Sequence, residues 1–301
     1  MARAPHPVTR PLLVVDTPLL LYRAFFSIPK TVKNNALLGA ANTVLSVASA
    51  VDARAVVLCL GAESATYRTD AYPPYHAQRP PMPDELAKQW NLVPDLFSAF
   101  GWLVEDAAPF EADDLLHSYA QREAAAEGEA LILTGDRDLY QSVSSRVHVL
   151  MVQKGGAEPA RIDEAEVMAR YGVRPDQVPD FIALRGDPSD GLPGAKGIGE
   201  KSARELLRAH DTLDAVIAQA PLAKKASAAV RALPGQAELL RVFRDVATVR
   251  MLPVDRPKDR ALDRAAAAVA ATQHGLDRLS KRLEALQAWQ PERQSPAEHV
   301  A

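Results

Sequence analysis

Five short apolar runs, at residues 12–15, 55–60, 102–104, 130–134 and 147–151, set the strongest limit on what this chain can become. Each is too short for a helix, and their Val, Leu and Ile content suits strands buried on both faces. Stretches near 37–52, 84–100 and 112–127 that read as helix lie between them. Strand alternating with helix is the pattern of a mainly parallel sheet flanked by helices, so the class is α/β. From residue 162 onward the pattern turns mainly helical, with a Gly/Pro-rich hairpin at 191–199. The Ala- and Leu-rich stretch at about 260–289 also reads as helix, and residues 290–301 read as frayed. Five prolines between 71 and 83 forbid a regular helix there. Tyr72, Tyr75, His76 and Arg79 in the same segment make it more than a passive linker.

Composition removes several classes. One cysteine, Cys59, leaves no disulfide framework and no thiolate cluster for zinc. No apolar stretch approaches membrane-spanning length, and no small-residue cleavage site follows the first one. A reducing, cytoplasmic setting with no membrane partner is therefore expected, and nothing requires an oligomer. The net charge of −3 argues against indiscriminate polyanion binding. Its distribution says more: residues 101–140 hold ten acids against two Lys or Arg, while 191–260 hold thirteen Lys or Arg against eight acids. An acidic half followed by a basic one suits a metal centre beside a phosphate-binding surface.

The acids fall where an α/β sheet places ligands. The first strand ends in Asp16, and the fourth runs into Asp136 and Asp138 of the sequence GDRD. Open α/β sheets bind ligands outside the carboxyl ends of their strands. Glu111, Asp113 and Asp114 of EADD open a helix, where the dipole favours negative charge. Asp187 and Asp190 of GDPSD follow the run FIAL and Arg185. Eight carboxylates on one rim would raise one another's pKa values unless cations intervened. Oxygen donors alone select hard divalent ions, Mg²⁺ or Mn²⁺, and two of them suit in-line phosphodiester hydrolysis. Each element alone is commonplace as an N-cap or an Asx turn; four in order make coincidence improbable.

At this point the sequence resembles the bacterial and phage 5′→3′ exonucleases, a family that includes the amino-terminal nuclease domain of DNA polymerase I. Flap endonucleases are more distant members. The segments that carry the likeness are VVDTPLLLYRAFF, TYRTDAYPPYHAQRPPMP, FEADDLL, LTGDRDLYQSV, ARYGV and DFIALRGDPSDGLPGAKGIGEKSA, over roughly 12–210.

The resemblance implies a PIN-like nuclease core over residues 1–185, with an arch region at about 71–95. It also implies a helical DNA-binding part over 186–301 with a helix-hairpin-helix at about 191–209. It places Asp16, Glu111, Asp113, Asp114, Asp136, Asp138, Asp187 and Asp190 on the family's metal-binding carboxylates. Asp16, Asp113, Asp136 and Asp138, with Tyr75, His76 and Arg79, fall on its catalytic positions. Arg23, Arg68, Tyr75, Arg79, Lys196, Gly197, Gly199 and Lys201 fall on DNA-contact positions, with Tyr22 near the substrate strand. A K⁺ ion in the hairpin is a family habit. DNA with a free 5′ end, flap or junction is the implied substrate, and a replication or repair polymerase the implied partner. The length matches the nuclease domain alone.

Three positions depart from the family pattern. Gly61 stands where an Asp ends the second strand, His76 where a Lys follows the Tyr, and Thr17–Pro18 where a glycine follows the first Asp. Two functions stay open: an active two-metal 5′ nuclease, or a branched-DNA-binding paralogue that cleaves slowly or not at all because of Gly61. A ribonuclease of the related PIN-domain class fits the length and the hairpin less well.

Overall fold

The computed structural model describes residues 10–288, so the frayed reading for 290–301 lies outside the described residues. Its centre is a six-stranded sheet of β1 (Leu12–Asp16), β2 (Ala55–Leu60), β3 (Leu103–Asp106), β4 (Ala130–Thr134), β5 (Val147–Met151) and β6 (Ala160–Ile162). The order is β3-β2-β1-β4-β5-β6. Every neighbouring pair is parallel except β5 and β6. Side chains alternate along β1, so Leu12 and Val14 enter one core while Leu13 and Val15 enter the other. The strand is therefore buried on both faces, as its unbroken apolar run requires.

On one face lie α1 (Thr17–Ser27), α2 (Asn35–Ala50), α4 (Asp84–Trp90) and α5 (Val93–Ser98), reached through α3 (Thr66–Ala71). On the other lies α6 (Ala112–Ala125), with Leu116, Tyr119 and Ala120 against Leu12 and Val14. The single helix expected over 84–100 is two, because Pro94 starts a new first turn instead of continuing the old one. The helix α1 and the strand β6 carry no signal in the sequence. The first is hidden in a continuous apolar run, and the second is too short to alternate.

The helical half comprises α7 (Glu164–Tyr171), α8 (Val178–Arg185), α9 (Glu200–His210), α10 (Leu213–Gln219), α11 (Ala228–Arg231) and α12 (Ala237–Ala247). Its hairpin joins α8 to α9. A pair, α13 (Arg264–Gln273) and α14 (Asp277–Ala288), then packs on the α1–α2 side, burying Ala267, Ala268, Ala270 and Ala271.

Between these helices residues 249–263 run as an extended strap along α6 and past the sheet. The backbone N–H of Arg250 donates to Asp114 at 2.6 Å, and that of Leu252 donates to Ser118 Oγ at 2.7 Å. Further on, Arg256 donates twice to Glu123, at 2.8 and 2.9 Å. Glu123 is fully buried and also takes Arg54, whose guanidinium reaches Pro257 O and Asp259 at 2.8 Å. Burial pushes the Glu123 carboxyl up, but the two guanidiniums outweigh it and hold it below the usual range. The strap closes with Asp263 N–H donating to Phe100 O at 3.0 Å.

Candidate active site

Connections leave β1 toward β2 on one side, and β4 lies on the other, so the sheet's switch point falls between β1 and β4. Asp16 stands at one side of it. Its Oδ1 caps α1 by accepting the Leu19 N–H at 3.0 Å, and its Oδ2 accepts the Thr134 hydroxyl at 2.7 Å. Capping accounts for Thr17–Pro18, since the first turn of a helix has no partner for the proline's missing N–H. The Thr134 oxygen in turn accepts the Asp136 N–H at 3.0 Å, and Asp136 Oδ1 accepts the Asp138 N–H at 2.8 Å. One hydroxyl thus links both strand ends. Nothing in the sequence singles out Thr134, although it stands inside the TGDRD segment.

These side chains open into a cavity of about 1050 Å³. Asp16, Glu111, Asp113, Asp136, Asp138, Asp187 and Asp190 line it, together with Tyr22, Gly61, Glu63, His76, Arg79, Arg137 and Arg185. Burial raises the proton affinity of Asp16, against its bonds to Thr134 and Leu19. For Asp113 burial and then the charges of Asp136 and Asp16 do the same. Asp138 is raised well above the usual range by burial and by Asp136, Asp190 and Asp187. Asp136 is pushed up to about 6, chiefly by burial. Such a set is short of positive charge and offers only carboxylate oxygens, which fits hard divalent ions. Among the described residues, however, no three carboxylates are already arranged to hold an ion.

The expectation of eight converging carboxylates needs correction. Asp114 does not line the cavity. It is fully buried, accepts the Tyr67 hydroxyl at 3.1 Å and the Arg250 N–H at 2.6 Å, and closes a capping box with Glu111. Glu111 reaches the cavity wall with both oxygens engaged. Oε1 accepts the Ala65 N–H at 2.7 Å, while Oε2 accepts Arg68 and the Tyr75 hydroxyl.

Arg68 and Tyr75 are correspondingly 3% and 4% exposed, so neither presents itself to DNA. Both hold Glu111 in place, and the spacing of TYR before YPPY gives no hint of it. Asp187 pairs with Arg185 at 3.0 Å. Asp190 Oδ1 lies 3.2 Å from His76 Nε2 and 3.1 Å from the half-exposed Arg79. The His76 ring stacks on Tyr75 with centroids 3.7 Å apart, and its Nδ1 is 3.0 Å from Ser64 Oγ.

Gly61 is the departure with the clearest packing reason. A Cβ there would stand 2.5 Å from Ala112 N, 2.6 Å from Glu111 C and 2.8 Å from Phe110 O. The missing side chain lets the start of α6 close against the end of β2.

Away from the cavity, Arg23 donates to Gln153 O. Lys196 and Lys201 are exposed on the hairpin side, where Gly197 takes φ +80° and nothing lies within 4 Å of a Cβ placed on Gly199. The 71–95 stretch forms a loop and helix wall, with Pro80, Pro81 and Trp90 facing the cavity. No helix among the described residues is long and apolar enough to cross a membrane.

Two family models match consecutive parts of the chain. Residues 11–172 match the 5′-3′ exonuclease N-terminal resolvase-like domain, and 173–268 match the 5′-3′ exonuclease C-terminal SAM fold. A 5′-3′ exonuclease of Mycobacterium tuberculosis is 32% identical over 315 residues, covering 92% of this chain and 98% of that protein. The thermostable DNA polymerase I of Thermus aquaticus is 36% identical over 261 residues, covering 84% of this chain. The chain spans only 30% of that polymerase's length. Among solved structures, T5 5′-exonuclease with bound divalent metal ions (zinc) superposes with a TM-score of 0.67 at 19% identity, covering 92% of this chain and 99% of the other. The catalytic core of Rad2 in complex with DNA gives 0.62 at 14%, covering 94% and 93%. Both show the shared fold.

Proposed function

The chain belongs to the 5′-3′ exonuclease family, and from this we propose that it hydrolyses DNA phosphodiester bonds next to free 5′ ends, flaps and junctions. The observation that carries the reading is the cavity at the switch point, where Asp16, Asp113, Asp136 and Asp138 meet with raised proton affinity and no guanidinium or ammonium paired to them among the described residues. We assign these four, with Glu111, Asp187 and Asp190, to holding Mg²⁺ or Mn²⁺. When bound, such ions supply water activation and stabilisation of phosphate charge.

The chain's own residues do the rest. Thr134 and the Leu19 amide of α1 orient Asp16, and Arg68 and Tyr75 orient Glu111. Arg79, half exposed at the lip, is placed to meet a phosphate. Lys196, Lys201 and the hairpin glycines contact the duplex backbone, so base sequence matters little. A K⁺ ion at the hairpin, a polymerase working on the same DNA and a cytoplasmic setting belong to the same proposal. Gly61, the support for a non-cleaving paralogue, has a packing explanation and does not by itself favour that reading.

The test is a 5′-flap duplex labelled at its 5′ end, incubated with Mg²⁺ or Mn²⁺. Wild type cuts near the junction. Asp138→Ala binds the flap but loses more than about a hundredfold in rate, since even partners one shell further from a metal cost about 10–100-fold. Normal cutting by that variant removes the assignment.

A further inference from the structure

The acids of the helical half are largely consumed internally. Glu200 pairs with Arg204 at 2.5 Å, Asp211 with Arg174 at 2.8 Å, and Asp214 with both Arg241 and Arg244 at 2.8 Å. On the hairpin, the first turn of α9 and the stretch 215–237, the exposed cations with no ion partner among the described residues are Lys196, Lys201, Lys224, Lys225 and Arg231. The stretch 215–237 holds three of them and no acid at all.

This stretch lies against the hairpin. The Lys196 N–H donates to Gln236 Oε1 at 2.9 Å, across forty residues of chain. A Cβ on Gly197 would stand 3.0 Å from Ala229 Cβ. α11 and the turn after it are therefore the hairpin's neighbours, although they lie outside its motif, and the segment holding Lys224 and Lys225 leads directly into α11. Unpaired lysines cost nothing to leave solvated, but five cations within two adjoining segments, against Glu205 as the one unpaired acid of 191–237 among the described residues, make one basic surface.

We propose that residues 221–231 form a second phosphate-contact surface for duplex DNA, continuing the one begun by the hairpin. The inference rests on the DNA reading above and adds the place where the duplex extends beyond the hairpin. Backbone phosphates are the ligand the chemistry favours. Three flexible cations with no aromatic side chain among them read charge rather than bases.

The experiment uses the full chain and a 25-base-pair duplex carrying a 5′ flap, in EDTA, with binding followed by fluorescence anisotropy across a KCl series. Three proteins are compared: wild type, Lys224→Ala/Lys225→Ala/Arg231→Ala, and Lys196→Ala/Lys201→Ala. The triple variant should bind about tenfold more weakly, and its log–log salt slope should be shallower by about 2–3, close to one for each phosphate no longer neutralised. With Mn²⁺ present its KM should rise while kcat holds. If the hairpin variant loses affinity and the triple variant keeps the wild-type slope, this surface is overturned and the nuclease reading stands. If wild type binds no duplex at all, both fall together. Sequence-dependent losses in the triple variant would also overturn it. All three side chains are exposed, so circular dichroism should show an unchanged fold.

Discussion

The Thr134 hydroxyl donates to Asp16 Oδ2 at 2.7 Å and so joins the ends of β1 and β4 at the sheet's switch point. Thr134→Val keeps the shape and removes the bond, leaving Asp16 held by the Leu19 N–H alone. Divalent-ion affinity, read by calorimetric Mn²⁺ titration, should fall about 10–100-fold, the usual cost of losing a partner one shell out. Thr134→Ser should restore it. Equal affinity in wild type and Thr134→Val would show that Asp16 needs no such support.

The cavity carboxyls tie stability to pH in a definite direction. Asp16, Asp113 and Asp138 are raised, and Asp136 is pushed to about 6. Their folded values exceed the unfolded ones, so the folded state holds more protons and loses stability as pH rises through the folded values, for Asp136 up to about 6. Added Mn²⁺ should therefore raise Tm more at pH 7.5 than at pH 5, where more protons compete for the same oxygens. The ion-dependent increment is the quantity to compare, because the rest of the protein cancels from it. Equal increments at both pH values would contradict the assignment.

Position 61 should resist the family residue. Gly61→Ala places a Cβ within 2.8 Å of three backbone atoms at the start of α6. Overpacking of this kind costs about 1–3 kcal/mol, measurable by urea unfolding. Gly61→Asp should lose at least as much and gain no activity. A stable and faster Gly61→Asp enzyme would mean that α6 yields easily.

Arg68 and Glu111 are both buried, and each is the other's ion partner. Arg68→Met should cost about 3–5 kcal/mol, because the Glu111 carboxylate is left without its charge partner. Arg68→Lys should recover little, since an ammonium cannot fork between Glu111, the Tyr75 oxygen and Asp114. A loss of DNA binding with no change in unfolding would instead return Arg68 to the DNA surface.

The frame of the molecule is open to reading because its signals are local. An apolar run of five or six residues ending in Asp16 or leading to Asp136 announces both a strand and what stands at its end. The proposed carboxylate rim follows from that together with EADD at a helix start and GDPSD after an apolar run, and the family likeness adds the roles they are expected to play. What cannot be read is long-range. Nothing near Asp114 in sequence tells that Arg250 will donate to it from 136 residues away. Nothing near Tyr75 tells that its hydroxyl turns inward to Glu111. Such residues look like ligands or contacts until packing shows which oxygens are already taken. Gly61 is the converse case: it looks like a loss at the site and is an accommodation to a neighbouring backbone.

The strap at 249–263 gives the molecule the character of a caliper. It leaves the helical half at α12, is fastened to α6 at Asp114, Ser118 and Glu123, and ends against Phe100 on the far side of the sheet. In the function proposed above, one jaw is the hairpin, assigned to the duplex, and the other is the rim of carboxylates. The three acceptors on α6, Asp114, Ser118 and Glu123, are fully buried, so the strap ties the helical half to the sheet from within. On that proposal the chain need not inspect bases to choose its bond: the nucleotide severed would be set by its distance along the backbone from the hairpin.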